Sequence, residues 1–364
     1  MKIFEIVPTL DSGGAERFVV DICNELSKTA DVTLVTLHSI ETRGFYKNEI
    51  SDRIRIISLN QKRRLDIKCL LNLNALILRE KPDVIHTHLR AFEYLSFSML
   101  LFRKIKYFHT VHSDAFKESG TKLSFCLKKF IFKNDLCEPV TISNISQESF
   151  YRAYSLPSSL IYNGRCTSTY SISSSVYNEI QLYRKTNKTR ILLNVARIVS
   201  LKNQIMMCEI VKELVDADFD VVLLIIGKKE TVEIVSAIEN LKCENIYLLG
   251  EKMNPREYMS LVDAFCLSSE YEGMPISLIE AFSVGLVPIC TPVGGIVDMI
   301  ENGKNGFLSS DLSSFSYRDV VRKFLLMTQD EINTIKQNSL LSFNNFTIED
   351  CANKYLSIFS VSSI

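Results

Sequence analysis

The chain has 364 residues, 46% of them hydrophobic, and no low-complexity tract, so it exceeds the usual size of a single core and is neither disordered nor fibrous. Lys plus Arg and Asp plus Glu number 42 each, a formal charge of zero that hides an asymmetry: 24 of the basic but only 18 of the acidic residues fall up to Tyr170. Ten cysteines without a C-x-x-C pair, a start directly on the strand-like KIFEIV, and apolar stretches short of the roughly 20 residues that span a bilayer exclude an integral membrane protein, and a cytoplasmic chain with no nucleic-acid partner is expected.

In chain order, the first half reads as strands rich in β-branched residues separated by helix-length segments: KIFEIV (2–7), VTLVTL (32–37), RIRIISL (53–59), DVIHTH (83–88), KYFHTV (106–111) and PVTIS (139–143). After the first strand, Gly13 and Gly14 offer a backbone cradle for an anion, or room for an acceptor to approach the chain. They do not form G-x-G-x-x-G, which argues against a nicotinamide dehydrogenase. The basic excess concentrates between Ser51 and Lys133, in QKRR (61–64) and KLSFCLKKFIFKN (122–134). The latter sets Leu123, Leu127, Phe130 and Ile131 among lysines, as a basic amphipathic helix does. Its plain reading is a core-facing helix with a solvated back, and its functional one a surface resting on anionic lipid. His86, His88, His109 and His112, four of the five histidines, fall within one window. His86 and His88 share one face of a strand, but no Cys or carboxylate completes an obvious zinc set, so no metal site is expected. His109 is read as buried.

The small, polar CTSTYSISSS (166–175) marks a break, and domains are expected at 1–168 and 169–346. Beyond it ILLNVA (191–196), DVVLLII (220–226), NIYLL (245–249), AFCLSS (264–269), LVPICT (286–291) and GFLS (306–309) repeat the strand, loop, helix logic. Such alternation implies an α/β fold of parallel sheets with helices on both faces, which bind ligands beyond the carboxyl ends of their strands. Two such domains facing each other make a cleft.

The stretch from Leu267 to Leu308 carries the most chemistry. Glu272 and Glu280 stand eight positions apart. Pro275 suits the first helical position and Gly285 the stop, so Glu280 is expected to be held rigidly in mid-helix and Glu272 to hang at its mouth. Between Pro275 and Val284 only Glu280 is charged, so the helix is expected to be buried and its carboxylate to need hydrogen-bond donors, as sugar hydroxyls are. Arg197 and Lys202 follow ILLNVA, in the loop where doubly wound folds place binding groups. A phosphate-bearing group leaving there would build up charge that must be neutralised by a metal or by fixed cations. No Asp-x-Asp lies in a convincing strand-end loop, so cations are preferred, and no metal or other cofactor is expected. Glu272–Pro275 and Gly294-Gly295 each precede a helix start, where unpaired N–H groups attract anions.

This pattern resembles glycosyltransferase family 4, retaining enzymes whose signature is Glu, seven residues, Glu, then a small-residue strand and a Gly-Gly loop; here it reads EGMPISLIE and GLVPICTPVGG. NVARIVSLKN (194–203) is similar to the family's Arg-and-Lys diphosphate loop, PTLDSGGAER to its glycine-rich first loop, IYNG ending at Gly164 to its mid-chain Asn-Gly, and YFHTVHS to its loop histidine, at His112. The likeness runs from about the second residue to Leu308, in the expected order. It implies a GT-B architecture, two Rossmann-like domains facing across a cleft with a C-terminal helix (about 347–364) packing back on the first. It implies a nucleoside-diphosphate-sugar donor, with a UDP-sugar expected over a GDP-sugar. It also implies a catalytic set of His112, Arg197, Lys202 and Glu272, in which Glu272 orients the sugar, Arg197 and Lys202 take up the diphosphate charge and His112 lines the reacting face. Glu280 would anchor the ribose; Gly14, Gly273, Met274, Pro275 and Ile276 complete the donor-binding residues, and Gly13 with Gly14 forms the acceptor-side loop.

Three positions depart from the family. IIGKKE lacks a second glycine, Arg165 replaces an apolar residue, and Met274 stands where an aromatic is usual, which bears on the sugar that fits. The expected function is retaining transfer of a hexosyl or N-acetylhexosaminyl group to a glycan or lipid-linked glycan in bacterial surface-polysaccharide assembly (O-antigen, capsule or exopolysaccharide), with the basic first domain resting on an anionic membrane surface. The rivals are a nucleotide-sugar epimerase, which would convert donor without acceptor, a phosphorylase, whose pyridoxal-binding lysine cannot be identified, and a catalytically silent nucleotide-sugar binder.

Overall fold

The computed structural model describes residues 1–63, 66–166 and 171–361. Seven strands, β1 (Lys2–Val7), β2 (Asp31–Thr36), β3 (Arg55–Ser58), β4 (Val84–His88), β5 (Lys106–Val111), β6 (Glu138–Thr141) and β7 (Ser159–Leu160), form one sheet in the order β3-β2-β1-β4-β5-β6-β7. Six more, β8 (Arg190–Val195), β9 (Val221–Ile226), β10 (Ile246–Gly250), β11 (Ala264–Leu267), β12 (Val287–Cys290) and β13 (Phe307–Leu308), form a second in the order β10-β9-β8-β11-β12-β13. All neighbouring strands are parallel. Helices cover both faces of a parallel sheet, which is why a central strand such as β9, VVLLII, is apolar throughout and no residue in it is more than 2% exposed. Each sheet reverses its winding once, between β1 and β4 and between β8 and β11. A crevice opens at the carboxyl ends of the strands at such a reversal.

The division expected between 168 and 169 falls outside the described residues. Contacts group residues up to Cys166 with those from Phe346 onward into one unit, and the described residues from 171 to 345 into another. In the first unit the returning segment crosses the chain at the Asn163-Gly164 step: a Cβ on Gly164 would lie 2.5 Å from the Thr347 carbonyl oxygen and 2.7 Å from Ile348 Cα. Close backbone approach is what the missing side chain of this glycine allows. Arg165 and Thr347 then bridge in parallel, with Arg165 N donating to Phe346 O at 2.9 Å. Thr347 caps the helix Ile348–Ser360 by accepting from Asp350 N. Arg165 is buried and needs a counter-charge there; its Nη1 meets Asp21 Oδ2 at 2.7 Å, and Asp21 also takes Arg17.

The helix expected over 122–134 forms as Lys122–Lys133, capped by Thr121 on Ser124 N; Ile131 and Phe132 are buried and Phe125 and Leu127 pack on the core, but two of its apolar residues point outward. Ser124, Lys128 and Ile131 face inward while Leu123 and Phe130 are 81% and 52% exposed. Lys128 can turn inward because its ammonium lies 3.1 Å from the buried Glu118 carboxylate. Of QKRR, Arg64 lies outside the described residues. All ten cysteines are free thiols, and no helix among the described residues is long and apolar enough to cross a membrane.

Candidate functional site

At the reversal in the second sheet, the loops leaving β8 and β11 are tied together. Beyond β8 a single 3-10 turn, Ser200–Lys202, ends at Asn203, whose φ of 49° turns the chain into the helix Gln204–Asp216. Ser268, just beyond β11, donates through Oγ to the carbonyls of Lys202 and Asn203 at 3.1 and 2.9 Å, and Glu270 N donates to Leu201 O at 2.9 Å. Within that frame Lys202 Nζ lies 2.7 Å from each Glu272 oxygen, and Ser269 Oγ donates to Oε1 at 2.7 Å. Glu272 is 6% exposed. It does not hang at the mouth of the helix as expected, because a carboxylate this far out of water requires the cation and hydroxyl that grip it.

Glu280 sits in the helix Ile276–Ser283 and is 5% exposed, in the buried, mid-helix position expected of it. Pro275 is the residue capping that helix rather than its first turn, since its ψ of 117° is extended. Gly285, at φ 65°, follows the last turn as expected, and Met274 is buried.

The Gly294-Gly295 pair has a different use from the anion cradle its sequence suggested. Gly294 has φ 52°, and a Cβ there would fall 1.6 Å from the Glu272 carbonyl oxygen, while Gly295 N donates to Gly273 O at 2.6 Å. The pair packs backbone on backbone under the Glu272 loop, and the helix it precedes, Ile296–Met299, has only four residues. Arg197 is not joined to Lys202 and Glu272 by any described bond; it is exposed and pairs with Glu230 at 3.1 Å. Gly227, at φ 153°, lets β9 pass beneath the start of its loop, since a Cβ would meet Ala196 O at 1.9 Å. Lys228 and Lys229 of IIGKKE face solvent.

In the first unit, Gly13 is the N-cap and Gly14 the first residue of the helix Gly14–Leu26. The carboxyl ends of β4 and β5 bear the histidines. His86, His88 and His109 are fully buried, and His112 is half-buried just beyond β5. The carboxylate missing from the sequence reading is Glu5, in register with His86 across β1 and β4. Its Oε1 is 3.1 Å from His86 Nδ1 and its Oε2 2.9 Å from His88 Nε2. These three offer ligand-type atoms within 4.8 Å of one another. Every one of those atoms is engaged by hydrogen bonds: His86 Nε2 by Thr110 Oγ1 at 2.7 Å and His88 Nδ1 by His112 Nε2 at 3.0 Å. A second tie anchors the same loop: Glu118 takes His109 Nε2 at 2.8 Å, His112 N at 2.8 Å and the buried Lys128.

These buried groups make the first unit sensitive to acid. Burial, with His86 beside it, pushes His88 down to about 4 from the usual 6.5. Burial and the neighbouring His88 hold His112 well below its ordinary value, and burial lowers His109 as well. Although burial alone would raise Glu5, His86 and His88 hold it down to about 2. Between pH 6.5 and 4 an unfolded His88 takes up a proton that the folded one refuses, so stability falls as pH drops through that window, by about 3 kcal/mol once complete. Glu5 adds in the same direction below pH 4.5. Calorimetry should find a melting temperature that falls steadily from pH 7 to 4.5; a flat profile would contradict this electrostatic account.

Comparison with known proteins adds the following. A family described as Glycosyltransferase Family 4 matches residues 12–169, and one described as Glycosyl transferases group 1 matches residues 178–339. An Escherichia coli protein named UDP-Gal:alpha-D-GlcNAc-diphosphoundecaprenol alpha-1,3-galactosyltransferase is 24% identical over 99% of this chain and 89% of its own length. The capsular polysaccharide biosynthesis glycosyltransferase CapH of Staphylococcus aureus is 24% identical over 96% and 95%. Among solved structures, HepE of Anabaena in complex with UDP and glucose superposes with a TM-score of 0.83 at 18% identity, covering 100% of both chains, which shows a common fold.

Proposed function

Because the chain belongs to glycosyltransferase family 4, has the GT-B fold and is a sugar-transferring enzyme, we propose that it moves a hexosyl or N-acetylhexosaminyl group from a UDP-sugar to a lipid-linked glycan with retention of configuration, in the assembly of a bacterial surface polysaccharide. The observation that carries the proposal is the Lys202–Glu272 pair, a fixed ammonium and a fixed carboxylate at the carboxyl ends of the two strands where the second sheet reverses. The relatives support the donor and acceptor classes: the E. coli protein is named for a UDP-galactose donor and an undecaprenol-linked acceptor, and HepE holds UDP with glucose.

In this reading Glu280 anchors the ribose, and Glu272 accepts hydrogen bonds from the sugar hydroxyls. Lys202 faces the diphosphate with Arg197 beside it, and Gly14, Gly273, Met274, Pro275 and Ile276 line the donor. His112 of the first unit lies against the reacting face, and Gly13 with Gly14 meets the acceptor. The bond from the sugar's anomeric carbon to the β-phosphate oxygen breaks, and the acceptor hydroxyl oxygen bonds to that carbon on the same face. The hydroxyl's proton passes to the departing phosphate, whose charge Lys202 takes up. Product analysis by NMR tests this: an α-configured product from an α-configured donor is expected, whereas an inverted product would contradict it, and donor conversion without acceptor would favour an epimerase.

The first unit's surface supports a place at the membrane. Leu123 and Phe130 are exposed seven positions apart on one helix, with Lys122, Lys129 and Lys133 exposed around them and Phe116 and Lys117 on the preceding segment. The protein should pellet with anionic vesicles at low salt and be released as salt rises; failure to pellet, or binding indifferent to salt, would refute this electrostatic docking.

A further inference from the structure

Glu5 has no part in the reaction as proposed, yet it sits fully buried in the middle of a central strand, where an ionised group is costly unless the fold makes use of it. It ends a chain of hydrogen bonds that begins at His112: His112 Nε2 to His88 Nδ1 at 3.0 Å, then His88 Nε2 to Glu5 Oε2 at 2.9 Å. The direction of each bond follows from its last member. An ionised carboxylate can only accept, so the His88 nitrogen facing Glu5 carries the proton. His88, buried and with His86 beside it, stays neutral above about pH 4, so it holds no second proton. Its Nδ1 is then a lone pair and must accept, and the proton between the two rings belongs to His112.

The geometry points to Glu5 and His88 as positioning residues that fix His112 as its Nε2–H tautomer, leaving Nδ1 as a hydrogen-bond acceptor. This rests on the proposed place of His112 against the donor sugar, where a neutral acceptor nitrogen can take a hydroxyl's hydrogen bond without setting a positive charge beside a developing oxocarbenium ion. The charged and titratable groups around His112 agree with a neutral ring. Burial and His88, His109 and His86 all disfavour a charged ring; Glu118, which accepts from the His112 backbone N–H and pairs with Lys128, pulls the other way but is outweighed. His86 Nδ1 straddles both oxygens of Glu5, 3.1 Å from Oε1 and 3.0 Å from Oε2, which helps to hold the carboxylate in place.

The test is 15N NMR of histidine-labelled protein at neutral pH, with His112→Asn used to assign the His112 signals. Wild type should show an N–H at Nε2 and a lone pair at Nδ1 of His112. Glu5→Gln, which can present an amide N–H to His88 and reverse its bonds, should raise the N–H population at His112 Nδ1. It should also lower kcat about tenfold, the loss expected for one hydrogen bond to the reacting sugar, with the donor KM changed far less. A wild-type ring protonated at Nδ1 would overturn the proposal. So would a Glu5→Gln protein with unchanged spectrum and kcat, or purified protein carrying one equivalent of zinc, because a metal would take the lone pairs that the network gives to protons. Should Glu5→Gln fail to fold, the wild-type spectrum alone decides. Absence of sugar transfer from every donor would sink the functional reading and leave the tautomer to the spectrum.

Discussion

Lys202→Ala should lower kcat on the order of a hundredfold at saturating donor, the loss typical of removing one preorganised group that meets developing charge. The side chain is placed with little freedom. The 3-10 turn that carries it is held from below by Ser268, and its ammonium rests on both Glu272 oxygens at 2.7 Å, with a side-chain exposure of only 18%. In this structure the carboxylate is its partner; under the proposed function the donor diphosphate would compete for the same charge. Removing the lysine also strands a carboxylate that is 6% exposed, so stability should drop as well, by roughly 1–3 kcal/mol. Pairing Lys202→Ala with Glu272→Gln separates the two effects: the double variant should recover part of the melting temperature and none of the activity. Full activity in Lys202→Ala would remove the cation from the reaction.

Gly294→Ala should reduce activity at least as severely, although residue 294 carries no chemistry. Its φ of 52° costs alanine about 1 kcal/mol, a minor effect. The steric one dominates, since the new Cβ would lie 1.6 Å from the carbonyl oxygen of Glu272 and 2.6 Å from its carbonyl carbon. Both obstacles are backbone, so the Glu272–Gly273 segment must move, and with it the 2.6 Å bond from Gly295 N to Gly273 O and the bidentate grip on Lys202. A shift of about an ångström in such a group can cost a hundredfold in rate. Circular dichroism should remain that of a folded α/β protein while kcat falls below about a hundredth of wild type. Near-normal kcat would mean that the position of Glu272 is not critical.

Much of the fold was legible because parallel strands buried on both faces must be apolar throughout, and runs such as VVLLII are unambiguous. The exception was β7, two residues long at a sheet edge, where Ser159 and Leu160 leave no periodicity to read. In the candidate site Glu280 was legible, since a lone charge in an apolar helix start has few places to go. Glu272 was read as hanging at the helix mouth because Lys202, 70 residues away, reaches it only through the pairing of β8 with β11, while Ser269, three residues before it, gave no signal of its own. Glu5 was missed for the same reason: 81 residues separate it from His86, and only the β1–β4 register brings them side by side. The signal was present all the same. A glutamate flanked by Ile3, Phe4, Ile6 and Val7 in KIFEIV requires a buried donor, and the histidines of DVIHTH were the candidates. Lys128 misled in the opposite sense: its spacing fitted a solvated face, and only Glu118 inside the fold explains why it turns inward.

The claim on which the rest depends is that the second unit grips a nucleoside diphosphate through Lys202, with Glu280 on the ribose. Isothermal titration of UDP into wild type, Lys202→Ala and Glu280→Ala measures it directly. Saturable one-to-one binding to wild type is expected, weakened about tenfold or more in each variant, a loss of about 1.4 kcal/mol. No heat with UDP or with any other nucleoside diphosphate, or equal affinities in all three proteins, would contradict it.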